Sequence, residues 1–216
     1  MNFPVLALDA AVGRSFGCLL LADGRRLVDE SQGDRAHSQT LMPMLEGLLE
    51  QAGIGWSDLK LLALGIGPGS FTGLRIAAAS MAGINASLQL PVLSFSSLAV
   101  TALQADCEDE LYVLEDARAG EVFVGRYRGA TALLEERCRR WDAIAELEPS
   151  IYTSAAVPPV ELAGWQRFEP ALHRGEAMGM AVQEAMRTMP DDLPRYVEPA
   201  YLQISQAEKN LAKRHA

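Results

Sequence analysis

The chain has 216 residues, of which 49% are hydrophobic and 22% are charged, a composition typical of a globular protein. Lys and Arg number 19 against 28 Asp and Glu, so the formal net charge is −9. Broad binding to nucleic acid or to an acidic membrane is therefore not expected, because phosphates attract basic residues. A local basic patch stays open, for example at Lys209, Lys213 and Arg214. The length allows one or two domains with a substantial core.

Targeting features point to a cytoplasmic location. No apolar run approaches the length of a transmembrane helix. The start of the chain lacks the basic segment of a signal peptide, and Asp9 interrupts its apolar run early. The cysteines, Cys18, Cys107 and Cys138, are odd in number and widely spaced, which favours reduced thiols.

The first half of the sequence predicts a β-meander followed by alternating helices and strands. Short apolar runs predict the meander strands at 5–9, 16–22 and 26–31, and Asp23-Gly24 is a hairpin turn signal. Leucines at helical spacing predict a helix over 38–52, with Gly53 as its C′ residue. The elements that follow are predicted as a strand over 60–66, a helix over 72–88, a strand over 92–95 and a helix over 97–105.

The second half begins with the same pattern. Strands are predicted over 111–114, 122–127 and 131–135, and Asp116 stands where Asp9 stands in the first half. We interpret this as an internal duplication, with an N-terminal lobe over 1–105 and a C-terminal lobe over 106–216. The stretch 141–165 is predicted to be irregular and 176–189 to be helical, while no structure is assigned to the tail from Gln203.

The most distinctive local feature is the loop Gly67-Pro68-Gly69-Ser70-Phe71-Thr72-Gly73, which joins a strand to a helix. Its backbone N–H groups could bind an anion with help from the helix dipole, and Arg75 could add a charge. The loop is neither a Walker loop nor a dinucleotide fingerprint. The alternative is a tight turn whose glycines let the helix pack close to the sheet.

Catalytic constellations are poorly supported. Asp9 could hold a metal-bound water, but a turn carboxylate that accepts local N–H groups is the simpler interpretation. The histidines lack metal-ligand spacing, and His37-Ser38 is better explained as the start of a helix with Ser38 as N-cap. Ser70 has no nucleophile-elbow context. No catalytic residue, metal or cofactor is therefore predicted.

Two helices are candidates for a partner interface. The helix over 38–52 carries methionines beside its leucine stripe, and the helix over 72–88 is unusually rich in Ala, Gly and Ser. The first has more apolar residues than one buried face requires, and the second permits close helix approach. Paired with a matching pair from another subunit, they could complete a four-helix bundle. The residues predicted for the seam are Met42, Leu45, Leu49, Leu74 and Ala78.

The sequence resembles the TsaB (YeaZ) family. The resemblance rests on Leu6-Ala7-Leu8-Asp9, on His37-Ser38 leading to Leu41 and Pro43, and above all on the stretch from Gly67 to Arg75. Supporting matches are Ser96-Ser97-Leu98, Asp116-Ala117-Arg118, Glu121-Val122-Phe123 and Pro199-Ala200-Tyr201-Leu202. Departures are Ala11, where a small hydroxyl residue is common, and Gln203, where Arg is common.

The resemblance implies an α/β protein with the actin-like ATPase fold, made of two RNase-H-like lobes. It implies a non-catalytic subunit in bacterial synthesis of threonylcarbamoyladenosine beside the tRNA anticodon. The expected partners are the catalytic paralogue TsaD and the ATPase TsaE, with a homodimer through the same helices and tRNA reached only through the complex. The paralogue's His-x-x-x-His metal motif is absent here, since its place reads Ser96 to Thr101.

Two other functions are weighed against this one. The alternative is a nucleotide-binding ATPase that uses Asp9 and the Gly67–Gly73 loop. A metallopeptidase is disfavoured because the ligand set is missing.

Overall fold

The computed structural model describes residues 2–31 and 37–203, apart from the side chains of residues 37–39 and 145. The elements of the first half are β1 (Val5–Asp9), β2 (Phe16–Leu20), β3 (Arg26–Glu30), α1 (His37–Ala52), a 3-10 turn (Trp56–Asp58), β4 (Leu61–Gly65), α2 (Phe71–Leu88), β5 (Val92–Phe95) and α3 (Ser97–Gln104). Those of the second half are β6 (Leu111–Arg118), β7 (Glu121–Arg128), β8 (Thr131–Arg140), α4 (Trp141–Ala145), β9 (Ile151–Thr153), β10 (Gln166–Arg167) and α5 (Arg174–Arg187). The predicted N-cap side chain of Ser38 and the tail basic patch (Lys209, Lys213, Arg214) lie outside the described residues.

The first sheet has the order β3-β2-β1-β4-β5. Strands β1 to β3 form the predicted antiparallel meander, while β4 and β5 run parallel to β1. The hairpin turns at Gly24 with φ +88°, and α1 ends at Gly53 with φ +68°, so both glycines adopt a conformation that side-chain-bearing residues avoid. Both turn predictions are confirmed.

The second sheet repeats the first. Its order is β10-β9-β6-β7-β8, with β6 to β8 antiparallel, β9 parallel to β6 and β10 parallel to β9. Strands β6, β7, β8, β9 and β10 therefore correspond in place and direction to β1, β2, β3, β4 and β5. This repetition confirms the predicted duplication and the actin-like fold class with two RNase-H-like lobes.

The stretch 141–165 was wrongly predicted to be irregular throughout. It contains α4 and β9, and β9 is the strand that pairs with β6 in the middle of the second sheet. A three-residue strand is too short to show alternation in sequence, so its place is set by pairing with neighbours. The strands β6 and β8 likewise extend beyond their predicted ends, because pairing with β7 continues past the apolar residues.

The first sheet is covered on both faces. One face packs against α1 and α2 through a core that includes Leu6, Leu8 and Leu45. The other face packs against α5, through residues such as Val5 and Met178. Helix α5 comes from the second half of the chain but packs on the sheet of the first half. The predicted division into lobes at 105/106 therefore stays a prediction. Helix α3 lies against both α5 and the second sheet.

Across the described ranges, none of the helices combines the length and the apolar character that crossing a membrane requires.

Candidate functional site

The carboxylate of Asp9 lies at the end of β1 and is fully buried. Its Oδ1 accepts a hydrogen bond from the Ser97 hydroxyl at 2.8 Å and one from the Ala11 backbone N–H at 3.3 Å. The Ser97 hydroxyl also accepts the Gly67 N–H at 3.1 Å. One buried carboxylate thus joins β1, α3 and the start of the glycine loop.

The other oxygen of Asp9 forms an ion pair with Arg174, the first residue of α5. The Arg174 Nη2 and Nε atoms both donate to Asp9 Oδ2, at 2.7 and 3.0 Å. The Arg174 side chain is only 3% exposed and that of Asp9 is not exposed at all. A positive charge at a helix N-terminus is unfavourable because it opposes the helix dipole. The position of Arg174 is therefore explained by its ion pair with Asp9 and not by a preference of the helix.

Helix α3 satisfies the remaining guanidinium donors. Arg174 Nη1 donates to the Thr101 hydroxyl at 2.9 Å and to the Gln104 side-chain oxygen at 3.1 Å. Arg174 Nη2 also donates to the Ser97 carbonyl at 3.0 Å. Ser97, Thr101 and Gln104 are spaced i, i+4 and i+7, so they line one face of the helix. A buried charge is tolerated only when it is paired and hydrogen-bonded in this way.

Glu115, which the sequence did not single out, is the counterpart of Asp9 in the second lobe. Glu115 is the fifth residue of β6, as Asp9 is the fifth residue of β1. Each lies on the strand face whose apolar residues pack against α3. The predicted counterpart Asp116 instead accepts the Arg118 N–H and points to the Trp141 indole. Burial raises the pKa of Glu115, opposed by a hydrogen bond from the Ala155 N–H at 2.8 Å and by the charge of Arg174.

A second polar cluster joins the lobes beside the first. The Ser96 hydroxyl caps α3 and contacts the Tyr127 hydroxyl at 3.2 Å, and both hydroxyls donate to the Glu136 carboxylate. A register shift in the β7–β8 ladder falls between Arg137 and Leu134 and so includes Glu136, and bulges of this kind re-aim a side chain. Burial, followed by the nearby Glu136 charge, raises the pKa of Tyr127 well above its usual range.

The glycine loop packs onto the turn that follows β1. The Ser70 N–H donates to the Ala11 carbonyl at 2.7 Å, and the Ser70 hydroxyl accepts the Gly73 N–H at 3.2 Å as the N-cap of α2. A Cβ at Gly69 would lie 2.6 Å from the Ala11 oxygen, and one at Gly73 would lie 2.0 Å from the Ala10 oxygen. Neither glycine has a positive φ, so close approach and not backbone strain requires them.

The side chain of Arg75 packs into an aromatic cluster. Its guanidinium carbon lies 3.8 Å from the centre of the Phe71 ring, and its Nε donates to the Tyr201 hydroxyl at 3.4 Å. Tyr201 reaches this position because the Ala200 N–H donates to the Ile66 carbonyl. Arg75 is exposed, as is Thr72. An anion contact by this loop stays a prediction.

The predicted interface residues need correction. Leu45, Leu49 and Leu74 are 0%, 3% and 2% exposed, so they belong to the chain's own core and cannot face a partner. Met42 and Ala78 are partly buried and pack at the edge of the same core. The leucines were chosen by helical spacing, and spacing identifies an apolar face without showing which neighbour covers it.

The sequence carried a signal for part of the central network. Ser97, Thr101 and Gln104 form a polar stripe on an otherwise apolar helix, which marks a buried polar contact. Arg174 had no such signal, because the partner that retains it is 165 positions away. The His173 side chain, also overlooked, caps α5 by accepting the Gly175 N–H.

This arrangement gives Asp9 a structural role. Both carboxylate oxygens are engaged by groups of the chain itself, and Arg174 supplies the positive charge that a bound cation would otherwise provide. Within residues 2–31 and 37–203, no group of three or more His, Cys, Asp or Glu side chains is arranged to hold a metal ion. The fold and site thus define a duplicated actin-like protein whose lobes are joined by buried polar contacts.

Comparisons with known proteins agree with this class. Residues 31–155 match the model of the family described as TsaD, tRNA N6-adenosine threonylcarbamoyltransferase. The chain is 32% identical over 125 residues to the tRNA threonylcarbamoyladenosine biosynthesis protein TsaB of Haemophilus influenzae, covering 56% of this chain and 52% of that protein. It is 32% identical over 127 residues to the Escherichia coli protein of the same name, covering 57% and 54%. These alignments span about half the length of both relatives.

A solved structure extends the likeness to nearly the whole chain. YeaZ from Pseudomonas aeruginosa superposes with a TM-score of 0.68 and 25% identity, over 91% of this chain and 99% of that one. The chain therefore belongs to the family that the matched model describes, as a member of its TsaB (YeaZ) group.

Proposed function

We propose that the chain is a non-catalytic partner subunit in synthesis of threonylcarbamoyladenosine on tRNA, binding the catalytic paralogue TsaD and supporting it together with the ATPase TsaE. TsaB relatives are named for this biosynthesis. The observation that carries the non-catalytic part is the Asp9–Arg174 pair, which engages the carboxylate that an ATPase of this fold would need free. In this proposal the protein acts in the cytoplasm and meets tRNA through the complex.

The surface proposed for the partner is the outer side of α1 and α2. Five residues of α2 that recur at intervals of three or four are exposed: Thr72, Arg75, Ala79, Gly83 and Ala86. Four of them have small side chains, so another helix can approach closely. The partly buried Met42 of α1 and Ala78 of α2 remain in the proposed surface, and a homodimer would use the same surface.

The variant Ala79→Arg tests this surface. We expect a folded protein whose affinity for TsaD falls by at least about tenfold, because a bulky charge at a close helix contact must be buried without a partner. The measurement is a pull-down with purified TsaD together with sizing chromatography. Ala163→Arg, at an exposed position on the second lobe, is the matched control. Equal binding by both variants, with unchanged melting, would place the interface elsewhere.

The alternative, a nucleotide-binding ATPase, predicts a different result. If the chain is not an ATPase, calorimetric titration of the purified chain with magnesium and ATP should give no binding heat, and no phosphate should be released. The reason is that Asp9 is already paired with Arg174 and is not free to bind a metal ion. ATP turnover by the chain alone that the Asp9→Asn variant abolishes would establish the ATPase instead. Lack of ATP turnover by the chain, combined with loss of TsaD binding in the Ala79→Arg variant, would support the proposed role as a non-catalytic partner subunit.

A further inference from the structure

Arginines concentrate on one face of the second sheet, despite the overall negative charge. Val122 and Val124 of β7 pack on this face, which we call the outer face, with Trp141 of α4. Directly opposite them on β8 stand Arg139 and Arg137. Because residues directly opposite on neighbouring strands share a face, both arginines lie on the outer face.

Two further arginines continue the outer face along β7. Arg126 and Arg128 follow Val124 at intervals of two, and successive alternate residues of a strand point to the same side. The side chains of Arg126, Arg128 and Arg137 are 39%, 62% and 59% exposed. Arg139 is exposed as well. Four guanidinium groups from two neighbouring strands thus reach solvent together.

Aromatic and apolar groups accompany these arginines. Arg126 pairs with Tyr112 on β6 and with Leu134 on β8. The Arg126 guanidinium carbon lies 5.6 Å from the centre of the Tyr112 ring, and the Trp165 ring centre is 5.3 Å from that of Tyr112. Both rings are partly exposed, and Leu134 is 52% exposed. The outer face therefore combines cations with planar rings.

Carboxylates offset the four positive charges in part: two form ion pairs with these arginines, and Asp116, opposite Val122, adds a third to the same face. Glu110 pairs with Arg126 at 2.7 Å and with Arg128 at 2.6 Å, and Glu135 pairs with Arg137 at 2.8 Å. Solvent-exposed ion pairs contribute little free energy, so these guanidinium groups can bind another anion at small cost.

We infer that the outer face of the second sheet, formed by Arg126, Arg128, Arg137 and Arg139 with Tyr112 and Trp165, binds the sugar-phosphate backbone and an unstacked base of RNA. Guanidinium groups bind phosphate with two parallel hydrogen bonds, and bases stack on aromatic rings and on guanidinium planes. An acidic protein segment would use the arginines but would gain nothing from the partly exposed rings of Tyr112 and Trp165. This inference goes beyond the proposed function, in which tRNA is met through the complex, and it does not depend on TsaD binding.

The experiment is a fluorescence anisotropy titration of a labelled RNA stem-loop with the full chain at several salt concentrations. Each phosphate contact contributes a slope of about −0.7 to the plot of log affinity against log salt for single strands, so four arginines predict a slope of about −3. The test variant carries Arg126→Glu and Arg137→Glu. The control carries Arg25→Glu and Arg187→Glu, which change the net charge equally at exposed, ion-paired arginines elsewhere.

We expect the test variant to bind RNA at least about tenfold more weakly than the unmodified chain at low salt, and the control to stay within about threefold. An equal loss in both variants would mean that net charge alone governs binding and would overturn the inference. So would the absence of RNA binding at low salt. If polyglutamate displaced the RNA as readily as unlabelled RNA does, the outer face would instead be a surface for acidic proteins.

Discussion

Gly73→Ala should destabilise the protein strongly, although the same change in a helix usually stabilises. The added methyl group would lie 2.0 Å from the Ala10 carbonyl oxygen, a backbone atom that cannot move without shifting the turn after β1. We expect the free energy of unfolding to fall by about 3 kcal/mol, at the upper end of overpacking costs. In a chain of this length that corresponds to a melting temperature lower by roughly 6–12 °C.

The matched control is Gly83→Ala in the same helix. A Cβ at Gly83 has no atom within 4 Å, and the position is exposed. Ala there should raise the free energy of unfolding by up to about 1 kcal/mol through helix propensity. Urea denaturation of both variants should thus give changes of opposite sign. If Gly73→Ala were neutral or stabilising, the close approach of α2 to the β1 turn would not be what requires glycine.

Gly69→Val should also destabilise the folded protein through a clash with the backbone, and this effect should be measurable in the absence of any nucleotide. Its Cβ would meet the Ala11 backbone, and the valine would add two methyl groups there. Unchanged melting together with loss of a nucleotide-binding signal would instead favour the anion-binding interpretation of the loop.

Arg174→Met should cost about 3–5 kcal/mol of unfolding free energy, the range measured when one partner of a buried ion pair is removed. Methionine fills much of the same space but leaves the buried Asp9 carboxylate without its two N–H donors from Arg174. It also leaves the Thr101 and Gln104 side chains without the donor they share. The measurement is urea denaturation at neutral pH.

Two comparisons make this test specific. Arg187→Met removes an ion pair at the other end of α5, where the arginine side chain is 74% exposed, and should change stability by less than about 0.5 kcal/mol. The double variant Asp9→Asn with Arg174→Met removes both charges, so it should lose much less stability than the sum of the two single variants. Additive losses would show that the two residues act independently, contrary to the contacts described.

The sequence predicted more of the first lobe than of the second. In the first lobe, apolar runs and turn signals predicted β1 to β5 and both long helices, because each element is long enough to display its period or is bounded by a glycine turn. In the second lobe, β9 and the ends of β6 and β8 were missed. Their positions depend on pairing with strands distant in sequence, which no local pattern reports.

The candidate site divides in the same way. The sequence by itself determined the glycine loop, since a strand followed by Gly-Pro-Gly and a helix restricts the backbone locally, and it marked Asp9 at the end of β1. Only the tertiary structure decided that Asp9 is neutralised by Arg174, that Glu115 is its counterpart, and that Leu45 faces the core. A buried charge is tolerated only beside its partner, and which residue becomes that partner is decided by how α5 packs across the first sheet.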